Sequence, residues 1–138
     1  MINRVLIRLK VMQIVYAYYQ NGNKNLDTAE KELFFSLSKA YDMYNYLLLL
    51  MVEITRQAER KQNAARQKLL PTSEELYPNR KFVENRFIAP LEVNKQLNDF
   101  VVNQKKTWAN EEEFIKALCE KIQASDIYNE YMAAETSS

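Results

Sequence analysis

From Thr28 to Leu70 the sequence contains neither proline nor glycine. These residues supply most tight reversals of a chain, so the stretch has no ready means of turning back on itself. The whole chain holds one Gly and three Pro. Strands would need a turn every eight to twelve residues or so, and there is almost no turn glycine to supply them. The expectation is an all-α fold: a helical bundle with a long second helix and several shorter C-terminal helices. As one helix, Thr28–Leu70 would be roughly 65 Å long at 1.5 Å per residue. That exceeds the usual span of a domain of this size, so the helix either projects or breaks. Asp27 is placed to cap it, with Glu30 at the capping-box position.

The first half of that stretch carries an apolar seam. Phe34, Leu37, Tyr41, Tyr44, Leu48 and Met51 alternate spacings of three and four, the pattern of a helix packed lengthwise on another. Leu33, Ala40, Leu47 and Ile54 widen it. The second half is basic. Thr55 to Lys68 holds Arg56, Arg60, Lys61, Arg66 and Lys68 against Glu59 alone, a local charge of +4. Two readings stand for it: a solvated extension, or a phosphate-facing surface.

A first helix is expected over Met1 to Gln20, closed by Asn21 and Gly22, which both tolerate the left-handed conformation. It folds back antiparallel on the seam through the loop Asn21–Leu26. Arg4 and Arg8 lie one turn apart and project from one side. Lys10 sits on another flank. Beyond them the helix is apolar on most sides, which usually means enclosure by other helices. It is read either as a core helix whose basic end reaches solvent, or as a helix presenting arginine to phosphate.

Pro71 ends the long stretch. Thr72–Pro78 is expected to be a connector with at most one helical turn, Lys81–Ile88 another short turn, and Pro90 a reset of the chain. Leu91–Lys105 then fits a helix with one buried face, and Trp108 plugs the core from a loop. Asn110 is placed to cap a helix whose first turn, Glu111, Glu112 and Glu113, sets acids at the positive end of the dipole. Phe114, Ile115, Leu118 and Ile122 form its buried face. Ser125 caps a last short helix running to Ala134.

Catalytic chemistry has little to work with. There is no His, the commonest general base and metal ligand. Cys119 falls on the presumed buried side of its helix with no imidazole to activate it. One glycine cannot form a phosphate-cradling loop. No catalytic, metal or cofactor site is expected, and the chain is not read as an enzyme. The lone cysteine suits a reducing cytoplasm, and the longest apolar run, Tyr46–Val52, is too short to span a bilayer. Net charge is +1 from 19 basic and 18 acidic residues, so nucleic-acid binding would depend on local clustering. One soluble domain over residues 1–138 is expected.

Arg4, Arg8 and the element Gln13-Ile14-Val15-Tyr16, followed by Tyr18 and Tyr19, resemble the amino-terminal helix of the transcription antitermination factor NusB family. Ala29-Glu30-Lys31-Glu32-Leu33, Tyr46-Leu47-Leu48-Leu49-Leu50, Asn85-Arg86-Phe87-Ile88 and Gln104-Lys105-Lys106-Thr107-Trp108 are similar to segments of long NusB-like proteins of Bacteroidetes-type bacteria. The resemblance implies an all-helical fold and binding of boxA-type RNA, together with the ribosomal protein NusE in a transcription complex. It also implies that the chain is the amino-terminal portion of a longer protein. By position it carries over Arg4 and Arg8, with Lys10 nearby and Arg56 and Arg60 as further RNA-binding candidates. The rival class is a helical interaction module or homodimer formed through the Phe34–Met51 seam, with no nucleic-acid role.

Overall fold

A computed structural model describes residues 3–22, 25–104 and 107–135. The fold is all-α: among the described residues there are seven α-helices, one 3₁₀ turn and no strand. The chain divides into two compact units, residues 1–46 and 47–138, and the second helix contributes to both.

The first unit consists of α1, Arg4–Gln20, and the beginning of α2, Leu26–Arg66. Asn3 caps α1, its Oδ1 accepting from the Leu6 N–H at 2.9 Å. Asn21 closes it, its N–H donating to Ala17 O, and Gly22 follows at φ +62, the left-handed conformation that glycine adopts without strain. The expected cap of α2 moves upstream. Asn25 Oδ1 accepts from Asp27 N at 3.0 Å and Thr28 N at 3.3 Å, leaving Asp27 in the first turn, where its charge favours the helix dipole.

α2 runs unbroken to Arg66, which resolves the choice between projecting and breaking in favour of continuity. It stops short of Leu70. Gln67 and Lys68 close the end with 3₁₀-type bonds back to Ala64 and Ala65.

One expectation for this unit fails and another holds only in part. No residue of α1 is buried, so α1 is not an enclosed core helix. Its half-buried positions, Leu6, Lys10, Ile14, Ala17 and Tyr18, share one side of the helix at 100° per residue. On α2 the matching half-buried positions are Ala29, Leu33, Ser36, Leu37 and Ala40. Leu37 of the expected seam and its flanking Leu33 and Ala40 are among them, while the aromatic members Phe34, Tyr41 and Tyr44 are exposed. Among the described residues α1 and the start of α2 are the elements of this compact unit, so each supplies the other's cover.

The second unit is built on the remainder of α2. Ile54 and Ala58 pack with Cys119 of α6, Glu112–Gln123, and Leu50, Phe82, Val83, Leu118 and Ile122 close around them. Ile115 is 2% exposed, and burial of such a side chain contributes about 1.5–3 kcal/mol. Thr55, also buried, satisfies its hydroxyl by donating to Met51 O at 3.0 Å.

Short elements wrap this core. α3, Ser73–Leu76, carries a full capping box between Thr72 and Glu75. α4 spans Ile88–Glu92 and contains Pro90, which therefore does not reset the chain. It sits in the first turn, where the proton it lacks would have no intrahelical partner. The single helix expected over Leu91–Lys105 is divided. α4 ends at Glu92, and Asn94 caps α5, Lys95–Asn103, by accepting from Leu97 N at 3.1 Å. Asn98 Nδ2 donates back to Glu92 O at 3.2 Å, satisfying a terminal carbonyl of α4.

Trp108 is half-buried on the 3₁₀ turn Trp108–Asn110 and stacks on Phe114, ring centroids 5.9 Å apart. Asn110 belongs to that turn and does not cap α6, which begins after Glu111 with no side-chain cap. Phe114, expected inside, is half exposed through its place beside Trp108. Ser125 caps α7, Asp126–Ala133, as expected, accepting from Tyr128 N at 3.2 Å.

Candidate nucleic-acid interface

The Asn3 cap fixes the first turn of α1 and, with it, the directions of Arg4 and Arg8. Both side chains are exposed. No hydrogen bond or ion pair with a described residue holds either one. The first turn of α1 contains no acidic residue, so the partial positive charge of the helix amino end is uncompensated there and adds to the two guanidiniums. Spacing of i, i+4 sets them side by side, a geometry suited to consecutive phosphates or to one phosphate held bidentately.

Lys10 does not join them. Two residues beyond Arg8 it lies about 200° around the helix, half-buried on the side turned towards α2.

Arg56 and Arg60 belong to the second unit. Arg56 Nη1 donates to Glu53 Oε1 at 2.9 Å and Nε to Glu92 Oε1 at 3.1 Å. Burial works against its charge, but its hydrogen bonds to Glu92 and Glu53 outweigh it and raise the pKa. Arg60 is exposed and donates twice to Gln57 Oε1, at 3.2 and 3.1 Å.

The rest of the basic stretch is engaged in the same way. Lys61 donates to Gln123 Oε1 at 3.0 Å and Arg66 to Leu76 O at 3.1 Å. Lys68 pairs with Glu75, which holds that carboxyl below its ordinary range. The +4 of the sequence window is thus met largely by groups outside it. Of the five candidates, the structure brings only Arg4 and Arg8 together as cations without a partner among the described residues.

Sequence reasoning missed the roles of two basic residues. Arg80 bridges Glu59 at 3.1 Å and Glu84 at 2.6 Å. Those hydrogen bonds, Glu84's first, raise its pKa. Lys81 Nζ donates to Tyr131 O and, at 2.6 Å, to Ala134 O, and lies 4.5 Å from the Tyr131 ring centroid. It caps the end of α7, the favoured place for a cation. The Arg80–Glu84 pair stands at i, i+4 and was open to sequence reading, whereas the contacts with Glu59, Tyr131 and Ala134 reach 21, 50 and 53 residues along the chain and no local pattern announced them.

The second unit also contains an apolar cavity of about 480 Å³, lined by Met51, Ile54, Thr55, Phe82, Asn85, Phe87, Ile88 and Ile122. Its polar groups are already engaged: Thr55 with Met51 O, and Asn85 with Tyr131 Oη and the Phe87 N–H. It offers shape and apolar surface but no free reactive group. Among the described residues no group of three or more His, Cys, Asp or Glu could hold a metal ion, and no helix is long and apolar enough to cross a membrane.

No family model, curated protein or solved structure matches the chain.

Proposed function

We propose that this chain is the RNA-binding part of a NusB-like transcription antitermination factor, contacting boxA-type RNA alongside the ribosomal protein NusE. The observation that carries the reading is the pair Arg4 and Arg8: adjacent, exposed, unpaired and set at the positive end of α1. The resemblance of the first helix to the NusB family falls on the same residues. Arg4 and Arg8 act on phosphates, which position single-stranded RNA, while unpaired bases supply selectivity. Arg60 adds a weaker contact. Arg56, committed to two carboxylates, adds least, and Lys10 contributes through the hairpin that holds α1.

The test is binding of labelled boxA-like RNA against a scrambled sequence of equal length, over a range of salt. Arg4→Ala with Arg8→Ala should weaken binding and flatten the logarithmic salt slope by about 1.4, the loss of two phosphate contacts on a single strand. Unchanged affinity at low salt would reduce both arginines to scaffold. Equal affinity for boxA-like and scrambled RNA would leave only generic charge attraction.

A second reading, an interaction module with no nucleic-acid role, is favoured by the many apolar side chains that α1 and the start of α2 leave exposed. It predicts concentration-dependent association and no RNA shift.

A further inference from the structure

The side of α1 facing away from α2 carries Val5, Leu9, Met12, Tyr16 and Tyr19, spaced four, three, four and three residues apart. Their exposures run from 51% at Leu9 to 77% at Tyr19. Scattered single apolar residues on a surface need no explanation, but a continuous stripe is the mark of an interaction face. The spacing matches the seam by which one helix accepts the knobs of another. The side chains suit such a role. Met12 adapts its shape to what it meets, while Tyr16 and Tyr19 combine apolar rings with hydroxyls that remain wet at a rim.

We propose that this stripe is the docking surface for an amphipathic helix of a partner protein, one with apolar residues at three-four spacing and carboxylates along one edge. Charge selects this occupant. Arg4 and Arg8 border the stripe on one side, and α1 contains no acidic residue in its whole length. A facing helix with glutamates or aspartates on that edge gains two unpaired cations. A second α1 would bring more arginine and no carboxylate, so another copy of the same helix is the wrong partner on charge. An acidic amphipathic helix uses both the seam and its border, the mode by which helices are recognised through i, i+3, i+4 and i+7 anchors.

This inference draws on the same Arg4 and Arg8 as the RNA reading, whose test removes them and measures RNA, but it adds the apolar stripe, which that reading does not use. Here the deciding residues are Met12 and Tyr16, measured with peptide. The 138-residue chain is titrated by fluorescence anisotropy with two labelled synthetic helical peptides that share one apolar heptad stripe. One carries Glu at the edge positions and the other Lys. Sedimentation velocity covers the same protein concentrations.

The Glu peptide should bind at least about tenfold more tightly than the Lys peptide. Met12→Glu should weaken it by about 30-fold, the scale of a central interface residue, with the circular dichroism spectrum unchanged. Tyr16→Ala serves as a second, milder variant should Met12→Glu disturb the hairpin, and should weaken the Glu peptide without altering helicity. Equal affinity for the two peptides, no binding of either, or indifference to both substitutions would overturn the proposal. So would a dimer of the chain that Met12→Glu dissociates, since the occupant would then be a second copy.

Discussion

Arg56 Nε donates to Glu92 Oε1 at 3.1 Å, tying the second half of α2 to the end of α4. The two residues are 36 positions apart in sequence, and the contact changes what Arg56 is available to do. A guanidinium already shared between Glu92 and Glu53 would have to give up those bonds to meet a phosphate. Arg56→Ala is therefore expected to leave RNA affinity within about twofold of the parent, against the larger loss from Arg4→Ala with Arg8→Ala. The side chains of Arg56 and Glu92 are 49% and 40% exposed, so solvent screens the pair, and its coupling in a double-mutant cycle should be under about 1 kcal/mol. Urea unfolding of the two single variants and the double variant measures it.

Cys119 should be a quiet thiol. It is buried against Ile54 and Ala58, and burial raises its pKa, with Glu120 adding to the rise and Lys61 opposing it. In the unfolded chain the thiol ionises near about 8.5. A folded pKa above that value means the fold prefers the neutral thiol, so this contribution is complete below the unfolded pKa and is lost as pH rises through the folded one. The urea midpoint of the parent should therefore fall more between about pH 8 and 9.5 than that of Cys119→Ala. The upper limit excludes most ionisation of Tyr128, whose pKa burial also raises. Alkylation of the native chain at pH 8 should be slow and should accelerate only in denaturant.

Lys81→Met keeps much of the apolar stem and removes the ammonium that caps α7. Two carbonyls, those of Tyr131 and Ala134, then lose their donor, and the Tyr131 ring loses its cation. The expected cost is about 1–2 kcal/mol, located at the end of α7. Faster hydrogen exchange over residues 130–134, with α6 unchanged, would show it.

The legible parts of this sequence were those fixed by neighbours in the chain. Fold class followed from the scarcity of glycine and proline. The Asn21–Gly22 end of α1 and the Ser125 cap of α7 followed from local hydrogen-bonding chemistry. What escaped was set by competition between nearby caps or by distant partners. Asn25 displaced Asp27 because it reaches two free N–H groups from outside the helix. Asn94 divided a run whose apolar periodicity looks continuous. The candidate site divides in the same way. The Arg4 and Arg8 pairing was visible at i, i+4, and so was the nearness of Glu53 to Arg56 at i, i−3, whereas the second partner of Arg56, Glu92, lies 36 residues away, in no window of a dozen.

The α2 seam yields the last prediction. Aromatic residues dominated the periodic pattern, yet the half-buried side of α2 is lined by Leu33, Ser36, Leu37 and Ala40, the aliphatic part of that seam and its flank, with Phe34 left 62% exposed. Leu37→Ala should therefore destabilise the hairpin by about 1–2 kcal/mol, less than the full cost of a buried leucine because Leu37 is only half covered. Phe34→Ala, though it removes more atoms, should stay within about 0.5 kcal/mol. Urea unfolding followed by tyrosine fluorescence, which reports on Tyr16, Tyr18 and Tyr19 of α1 among others, ranks the two variants. If Phe34→Ala proved the costlier, the aromatic seam would be the true contact and the placement of α1 against α2 would be wrong.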